Sequence, residues 1–500
     1  MSNINHSKNS IFTLLSWLVP LGLTFFATPY IVRGLGNVEY GLYALMLGFI
    51  AYSFTFNIGR AVTKYVVEYN ATGETEKVTH IISATFFLGL TVGTIGSLIL
   101  FLSSEYLVKN ILLIDASLSE RAITGLHLVA LTIWILLIAQ VFSAVVQATH
   151  RYDIYSLITA VSNFFLIIGN VFLVWRGGDF LYLVSWNIFT TFFNGLCFFY
   201  FARKLQPGTT VTFQFTKEIV FLSLKYGLSI AGYQLFANIL FIFERIIITR
   251  IEGTDTLTNY VVPMTLAIFI HSFISSLTMN LMAYTSELFA QKKIAELEQI
   301  YRRISKIVVA LVVFMCVSLA VGSKYFLTNW IDSKFAEVSS GVFIIQLFTF
   351  GLLACLIISW QFIEGFGQPF YNTVSGFSWF IIAMLLMPTL TSNFGIVGTA
   401  WARFLGEMTI PLTIALIERK IFGKILVGFW VKVMSILSLS AVAAGLVEYN
   451  ILRYFSVNWL SFIFAIAVCA IVYAGLLLIT SYFSKVEKIW IESLVRKVFA

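Results

Sequence analysis

Charged residues are scarce in this sequence of 500 residues. They make up 11% of the chain, whereas about 25% is usual in soluble domains, and hydrophobic residues reach 59%. This composition excludes an ordinary soluble protein and indicates an all-α, polytopic membrane protein. At roughly 20 residues per membrane span, about 14 helices would leave only short loops. Loops of that length exclude a separate nucleotide-binding or catalytic soluble domain.

Several motifs with a defined chemistry are absent as well. No GxxxxGK[ST] segment occurs, so we do not expect this chain to hydrolyse ATP. The four cysteines stand singly inside apolar runs without metal-ligand spacing, and we predict neither a cofactor nor a bound metal. The first external loop offers only Glu39 between Arg33 and Tyr40, and the longest external loop, residues 103–121, is short. Both features count against an integral-membrane glycosyltransferase or ligase, which we keep as the enzymatic alternative.

Fourteen apolar runs are long enough to cross a membrane. They lie at about residues 11–32, 40–59, 80–102, 122–147, 154–175, 180–201, 219–243, 257–284, 304–322, 341–363, 373–391, 395–417, 430–449 and 458–483. With a cytoplasmic N-terminus, 21 of the 32 lysines and arginines fall in cytoplasmic segments and nine, including Arg245 and Arg250, in external ones. The positive-inside rule therefore predicts that both termini are cytoplasmic. The net charge of +8 reflects this topology and attraction to membrane lipids, and no nucleic-acid partner is expected.

The two halves of the chain are similar at an offset near 217 residues. Ile31-Val32-Arg33 before Gly36 matches Ile248-Thr249-Arg250 before Gly253, each at a predicted turn between helices, and the mixed-charge stretch 62–83 matches 283–305. Because six is an even number, two six-helix halves keep one orientation and form parallel repeats around a central cavity. We predict an N-terminal lobe at 1–204, a C-terminal lobe at 205–424, and an additional two-helix segment with a cytoplasmic tail at 425–500.

Charged residues inside the predicted spans are costly in lipid. An Arg, Lys or Asp at a helix centre costs about 2.5–3.5 kcal/mol, while each Leu, Ile, Phe or Val returns about 0.3–0.6 kcal/mol. The seventh span can insert with Lys225, but the twelfth holds both Arg403 and Glu407 among few strongly apolar residues. Their i, i+4 spacing allows an ion pair on one helix face, which should point at protein or water. Two interpretations stay open: a structural ion pair, or a role in the cavity or in ion coupling.

Four further ionisable residues are candidates. Arg60 and Lys64, also spaced i, i+4, lie at the cytoplasmic end of the second span, where they either extend to the membrane interface or contact an anionic head group. His271 lies near the middle of the eighth span, where it either titrates or serves as a hydrogen-bonded packing residue. Glu364 lies at the inner end of the tenth span and is expected to be interfacial.

Uncharged polar residues recur within the spans. They are Asn57, Gln140, Gln147, Asn163, Asn170, Asn187, Asn194, Gln234, Asn238, Asn280, Gln346 and Gln361. Such side chains join helices to one another in membranes, and a sugar-binding surface needs the same donors and acceptors. The sequence does not separate these two uses.

One segment carries a family resemblance. The stretch PYIVRGLGNVEYGLY (29–43), followed by Asn57-Ile-Gly-Arg60 and the mixed-charge residues 64–70, resembles the opening of polysaccharide-biosynthesis flippases. These belong with the multidrug and toxin extrusion (MATE) proteins and the lipid II flippases. The resemblance implies a non-enzymatic flippase in the bacterial cytoplasmic membrane. It would move an undecaprenyl-pyrophosphate-linked oligosaccharide from the inner to the outer leaflet by alternating access.

The resemblance also implies roles for the candidate residues. Family members place cations in the cavity, and the matching candidates for pyrophosphate and sugar binding are Arg60, Lys64, Lys225 and Arg403. Glu407, Glu364 or His271 would exchange the coupling ion, H⁺ or Na⁺. A polysaccharide polymerase and glycosyltransferases are the expected partners. The first span lacks the internal charge of lipid II flippases, which disfavours peptidoglycan precursor as cargo. A MATE-like drug or metabolite antiporter, with a more acidic and aromatic cavity, is the main alternative.

Overall fold

The computed structural model describes residues 6–52, 59–207, 211–213, 216–278, 281–455, 457–480, 482–484 and 487, with the backbone alone at 6–19, 71, 222–233 and 283. All regular structure in these residues is helical. The α-helices are α1 (His6–Tyr52), α2 (Gly59–Thr72), α3 (Thr75–Tyr106), α4 (Ala116–Ala148), α5 (Tyr152–Trp175), α6 (Phe180–Leu205), α7 (Lys217–Glu252), α8 (Thr254–Leu277), α9 (Leu281–Ala290), α10 (Ile294–Val321), α11 (Ser323–Trp330), α12 (Ser333–Gly365), α13 (Phe370–Glu407), α14 (Ile410–Phe422), α15 (Val427–Tyr454) and α16 (Trp459–Ile479). A short π-helical turn, Leu107–Ile111, extends α3.

The predicted fold class is confirmed. Within the described residues, ten helical segments are long and apolar enough to cross a membrane. The count of 14 spans stays a prediction, because several helices are short or change direction. Gly36 within α1 and Gly395 within α13 have non-helical backbone angles, so each of these long helices consists of two helical parts joined at a glycine.

The first predicted turn of the repeat depends on glycine. Gly36 has φ 75° and ψ 166°, and Gly253, which ends α7, has φ 90° and ψ 172°. These angles lie in a region that is essentially restricted to glycine, because any side chain would clash with the backbone. The two glycines are the positions that the sequence comparison aligned, and the chain changes direction at both.

Other left-handed turns repeat at nearly the same offset. Positive φ occurs at His150 and Gly367, which are 217 positions apart, and at Gly177 and Gly395, which are 218 apart. It also occurs at Gly73, between α2 and α3, and at Lys292, between α9 and α10. Turns in one order and at one spacing are what an internal duplication of a helical unit produces. The backbone therefore carries the repeat that the sequence indicated.

Two compact units are present, Met1–Thr258 and Asn259–Ala500. The predicted lobes at 1–204 and 205–424 and the segment at 425–500 stay a prediction, because contacts rather than the repeat define these units. In the first unit, α4 packs against α6, α3 and α2. Small residues permit this packing: a Cβ on Gly195 of α6 would lie 3.1 Å from that of Ala139 on α4. In the second unit, α12 packs against α9, α10, α11, α13 and α14.

Candidate functional site

A close contact between α2 and α4 positions Arg60. A Cβ on Gly59 would lie 3.0 Å from both the Cβ of Ala144 and the carbonyl oxygen of Gln140, so α2 approaches the α4 backbone directly. The hydroxyl of Thr63 strengthens this contact by donating to the carbonyl of Ala144 at 3.3 Å. The next residue along the chain, Arg60, is thereby held against α4. The glycine in the sequence explains why α2 can approach another helix so closely. The sequence does not show that this other helix is α4.

Arg60 lines a polar pocket of about 330 Å³. Four helices of the first unit form its wall, and the lining residues are Gly59, Arg60 and Thr63 on α2, Gln140, Ser143, Ala144 and Gln147 on α4, Tyr155 on α5 and Gln234 on α7. We call this cavity the Arg60 pocket. Its size is at the lower end of the range of about 300–1,000 Å³ for small-molecule sites.

A second pocket of about 290 Å³ lies beside it between α4, α5 and α6. The two share Gln140, Ser143 and Tyr155 as lining residues. The second pocket adds hydroxyl and amide groups from Thr159, Ser162, Asn163, Thr190, Thr191 and Asn194. Asn194 donates to the hydroxyl of Ser162 at 2.9 Å, which fixes the orientation of its amide. The polar surface therefore continues from the Arg60 pocket into the space between α4, α5 and α6.

The electrostatics of these two pockets are simple. Arg60 is exposed, and it forms no hydrogen bond or ion pair with any residue that the structure describes. Among the lining residues that the structure describes, neither pocket contains an Asp or a Glu. The buried Oε1 atom of Gln140 accepts no hydrogen bond from the described residues either. The described lining thus offers a ligand the cation of Arg60 and several uncharged donors and acceptors.

The other two basic candidates of the first unit differ from Arg60. Lys64 is exposed one turn further along α2, and its Nζ lies 4.6 Å from the centre of the Tyr65 ring. It does not line the Arg60 pocket. Lys225 belongs to α7, but its side chain lies outside the described residues. The roles proposed for both stay predictions.

Arg403 and Glu407 form the ion pair that their spacing predicted. The Nε of Arg403 donates to the Oε1 of Glu407 at 3.2 Å, and the guanidinium carbon lies 4.8 Å from the centre of the Phe350 ring. Both residues are 1% exposed, so no ligand reaches Arg403 in this structure. His271, which is partly buried, lies close enough to interact electrostatically with Arg403. A coupling role for these three residues stays a prediction.

Three of the described amides only join helices, whereas five line the two pockets, and one of these, Asn194, also joins α6 to α5; the sequence did not separate these uses. Asn170 donates to the hydroxyl of Tyr43, Gln346 donates to the carbonyl of Tyr260 at 3.1 Å, and Gln361 donates to Thr278 at 3.0 Å. These three join helices. By contrast, five amides face the two pockets, namely Gln140, Gln147, Asn163, Asn194 and Gln234. Asn57 and Asn280 lie outside the described residues.

Glu364 serves a local role in this structure. Its Oε1 accepts a hydrogen bond from the amide of Asn372 at 2.9 Å, which ties the end of α12 to the start of α13. It is partly buried, as an interfacial residue would be. Ion exchange at this carboxylate stays a prediction.

Four buried charged residues of the described chain were not singled out from the sequence, namely Glu244, Arg245, Glu418 and Glu448, and two of them are informative. Arg245, counted in an external segment because the predicted span ended at 243, is 5% exposed within α7. The helix continues beyond the predicted span to Glu252, as the apolar residues 246–248 and the terminating Gly253 could have indicated, and the external placement of Arg245 stays a prediction. Glu418 is fully buried and accepts hydrogen bonds from Tyr301 at 3.0 Å and Trp430 at 2.6 Å. No local sequence pattern predicts this hydrogen-bond network, because Tyr301 is more than a hundred positions from Glu418 and Trp430 is on a different helix.

Solved structures with this fold are flippases and multidrug transporters. The lipid II flippase MurJ in an inward closed conformation gives a TM-score of 0.72 at 14% identity, with 94% of this chain and 98% of that chain covered. An inward-facing multidrug resistance MATE family transporter of the MOP superfamily gives 0.68 at 14% identity, with 82% of this chain and 98% of that chain covered. The two likenesses establish the fold.

The sequence itself matches the polysaccharide biosynthesis protein family over residues 7–289, more than half of the chain. The chain belongs to this family. A relative from Shigella flexneri named "Putative O-antigen transporter" is 18% identical over 400 residues, which span 79% of this chain and 93% of the relative. The family resemblance is confirmed, and the protein is a multi-pass membrane protein with a flippase and transporter fold.

Proposed function

We propose that this protein is a flippase for an undecaprenyl-pyrophosphate-linked oligosaccharide. It moves the lipid from the inner to the outer leaflet of the bacterial cytoplasmic membrane by alternating access, with both termini in the cytoplasm. The observation that carries this proposal is the Arg60 pocket, where one cation stands beside a surface of amides and hydroxyls. Family membership and the flippase fold support it.

The chemistry of the pocket suits each part of such a lipid. The guanidinium of Arg60 presents five N–H donors in a plane, which match phosphate oxygens and keep their charge in a membrane. Sugar hydroxyls need partners that both donate and accept, and the amides of Gln140, Gln147 and Gln234 do both. The polyprenyl tail needs no pocket, because it is stable in the surrounding lipid. Arg60 would therefore hold the phosphate while the amides contact the first sugars.

The alternative is a MATE-like antiporter for a drug or a metabolite. The fold is shared with a MATE family transporter and is therefore compatible with this alternative, but the chemistry of the pockets disfavours it. A lipophilic cation would be attracted by a carboxylate, and the described lining offers an arginine instead. The positive charge of Arg60 therefore favours an anionic cargo over a cationic one.

Energy coupling is part of the proposal. An H⁺ or Na⁺ gradient would drive the cycle, with Glu407, Glu364 or His271 as exchanging groups. A polysaccharide polymerase and glycosyltransferases would act on the product and supply the substrate. Of the three groups, Glu407 is the one that forms a buried ion pair, with Arg403.

The test compares Arg60→Gln with Arg203→Gln. Arg203 is an exposed arginine at the end of α6 whose guanidinium lies 5.7 Å from the Phe199 ring, and it does not line the Arg60 pocket. Hydrogen bonds to a charged group contribute about 1.5–3 kcal/mol, or roughly 10- to 150-fold in affinity. We expect Arg60→Gln to weaken binding of geranylgeranyl pyrophosphate to the purified protein at least tenfold. Surface polysaccharide of the host should fall while membrane protein level is unchanged.

Arg60→Lys and the Arg203→Gln control complete the design. Arg60→Lys should retain part of the affinity, because the charge remains but the planar fork is lost. Arg203→Gln should behave like the parent. Unchanged binding and unchanged surface polymer in Arg60→Gln would contradict the proposal. Tight binding of tetraphenylphosphonium instead of the pyrophosphate would favour the antiporter.

A further inference from the structure

Arg245 is an arginine enclosed between α7 and the second part of α1. It is 5% exposed. Its guanidinium carbon lies 5.1 Å from the centre of the Tyr52 ring, and Nη1 donates to the carbonyl of Phe241, one turn earlier on its own helix, at 2.8 Å. Gly48 makes room for it, because a Cβ there would meet the Cδ and Nε atoms of Arg245. The guanidinium therefore lies directly against the backbone of α1.

The hydrogen-bonding capacity of Arg245 is mostly unused. A guanidinium has five N–H donors, and only the bond to Phe241 engages one of them among the described residues. The buried Nε has no acceptor, and no carboxylate of the described chain pairs with this cation. A buried charge without an ion-pair partner destabilises the fold, so we expect such a residue to persist where a ligand or a transport path requires it.

Arg245 shares a face of α7 with the Arg60 pocket. Gln234, which lines that pocket, is followed at helical spacing by Asn238, Phe241 and Arg245. At 1.5 Å per residue, Arg245 lies roughly 16 Å along the helix from Gln234. Between them, the Phe241 ring stacks on the Tyr52 ring at 4.5 Å, which closes the face in this structure. Along this face of α7, the polar Gln234 is therefore followed by the aromatic Phe241 and then by the cation of Arg245.

We propose that Arg245 is a second anion site, which receives the phosphate of the transported lipid after it leaves Arg60. The ligand class is a phosphate or pyrophosphate ester, because a planar cation with several open donors matches that group. This inference rests on the proposed function. The site is closed here by Tyr52 and Phe241, and it becomes accessible when α1 and α7 separate. Arg60 loads the lipid and Arg245 holds it further along the path.

A purely structural role makes the opposite prediction for stability. If Arg245 fastens α7 to Tyr52, its removal lowers the melting temperature together with transport. If Arg245 is kept for a ligand, Arg245→Met removes an unpaired buried charge and leaves the melting temperature at or above that of the parent. Stability and transport then move apart, which a structural residue does not do.

The experiment uses the full-length protein with three variants, Arg245→Met, Arg245→Lys and the control Arg250→Gln. Arg250 is an exposed arginine near the end of the same helix. We expect Arg245→Met to lower surface polysaccharide at least tenfold, with geranylgeranyl pyrophosphate binding within twofold of the parent, because Arg60 is the loading residue. Arg245→Lys should retain part of the transport, and Arg250→Gln should match the parent. Geranylgeraniol, which has the same tail without phosphate, should bind equally to all variants.

Three results would overturn the inference. Parent-level polysaccharide in Arg245→Met would show that the residue takes no part in transport. A fall in melting temperature in Arg245→Met, or failure of both Arg245 variants to reach the membrane, would show a structural role. A tenfold loss of pyrophosphate binding in Arg245→Met would make Arg245 part of the loading site rather than a second one. Each is distinct from failure of the proposed function, which would show as unchanged binding in Arg60→Gln.

Discussion

The buried pair of Arg403 and Glu407 allows a quantitative prediction. Their charged groups are 3.2 Å apart, and at an effective dielectric constant of about 20 their attraction is about 5 kcal/mol. Removing one partner leaves the other charge buried without its ion-pair partner, and breaking a buried pair in this way destabilises a fold by about 3–5 kcal/mol. Replacing both partners removes both desolvation penalties along with the attraction. We therefore expect Arg403→Met and Glu407→Met to be much less stable singly than the double variant.

The assay has two readouts. Melting temperatures of the purified variants in detergent report stability, and surface polysaccharide in the host reports transport. The double variant should melt within a few degrees of the parent, well above either single variant. If it also restores surface polymer, the pair is structural; if it is stable and inactive, the pair has a role in the cavity or in ion coupling. The open choice between these interpretations is thereby decided.

One outcome would refute the reasoning itself. Should the double variant melt lower than both single variants, with the two losses adding, the residues would contribute independently. The charges would then not stabilise each other as the 3.2 Å contact implies. Single variants as stable as the parent would refute it equally, because a charge without its ion-pair partner would then be tolerated at a site that is 1% exposed.

Two further predictions concern packing. Gly59→Leu should lower geranylgeranyl pyrophosphate binding, because even a Cβ would lie 3.0 Å from that of Ala144 and would push Arg60 away from α4; parent-level affinity would show that this approach does not position the site. Glu418→Leu should lower the melting temperature by leaving the donors of Tyr301 and Trp430 without their acceptor, at about 1–3 kcal/mol each. An unchanged melting temperature would mean that this network contributes little.

The local sequence determines much of the secondary structure. Apolar runs of about 20 residues specify membrane helices because no other open structure satisfies its backbone hydrogen bonds in lipid. Glycine specifies turns at Gly36 and Gly253 because their backbone angles exclude other residues. The i, i+4 spacing of Arg403 and Glu407 predicted their ion pair, because helical geometry alone brings residues at this spacing together. These are short-range properties, and the sequence determines them by itself.

Tertiary structure decided which polar side chains meet. Gln140 and Asn170 look alike in sequence, yet one faces the Arg60 pocket and the other bonds to Tyr43. The enclosure of Arg245 was not predicted, because it depends on the distant Gly48 lying opposite it. A side chain's role in a membrane depends on which helix it faces, and hydrophobicity along the chain does not specify that. Local sequence therefore determined the helices and their turns, whereas the pairing of helices alone decided where the cations and amides converge.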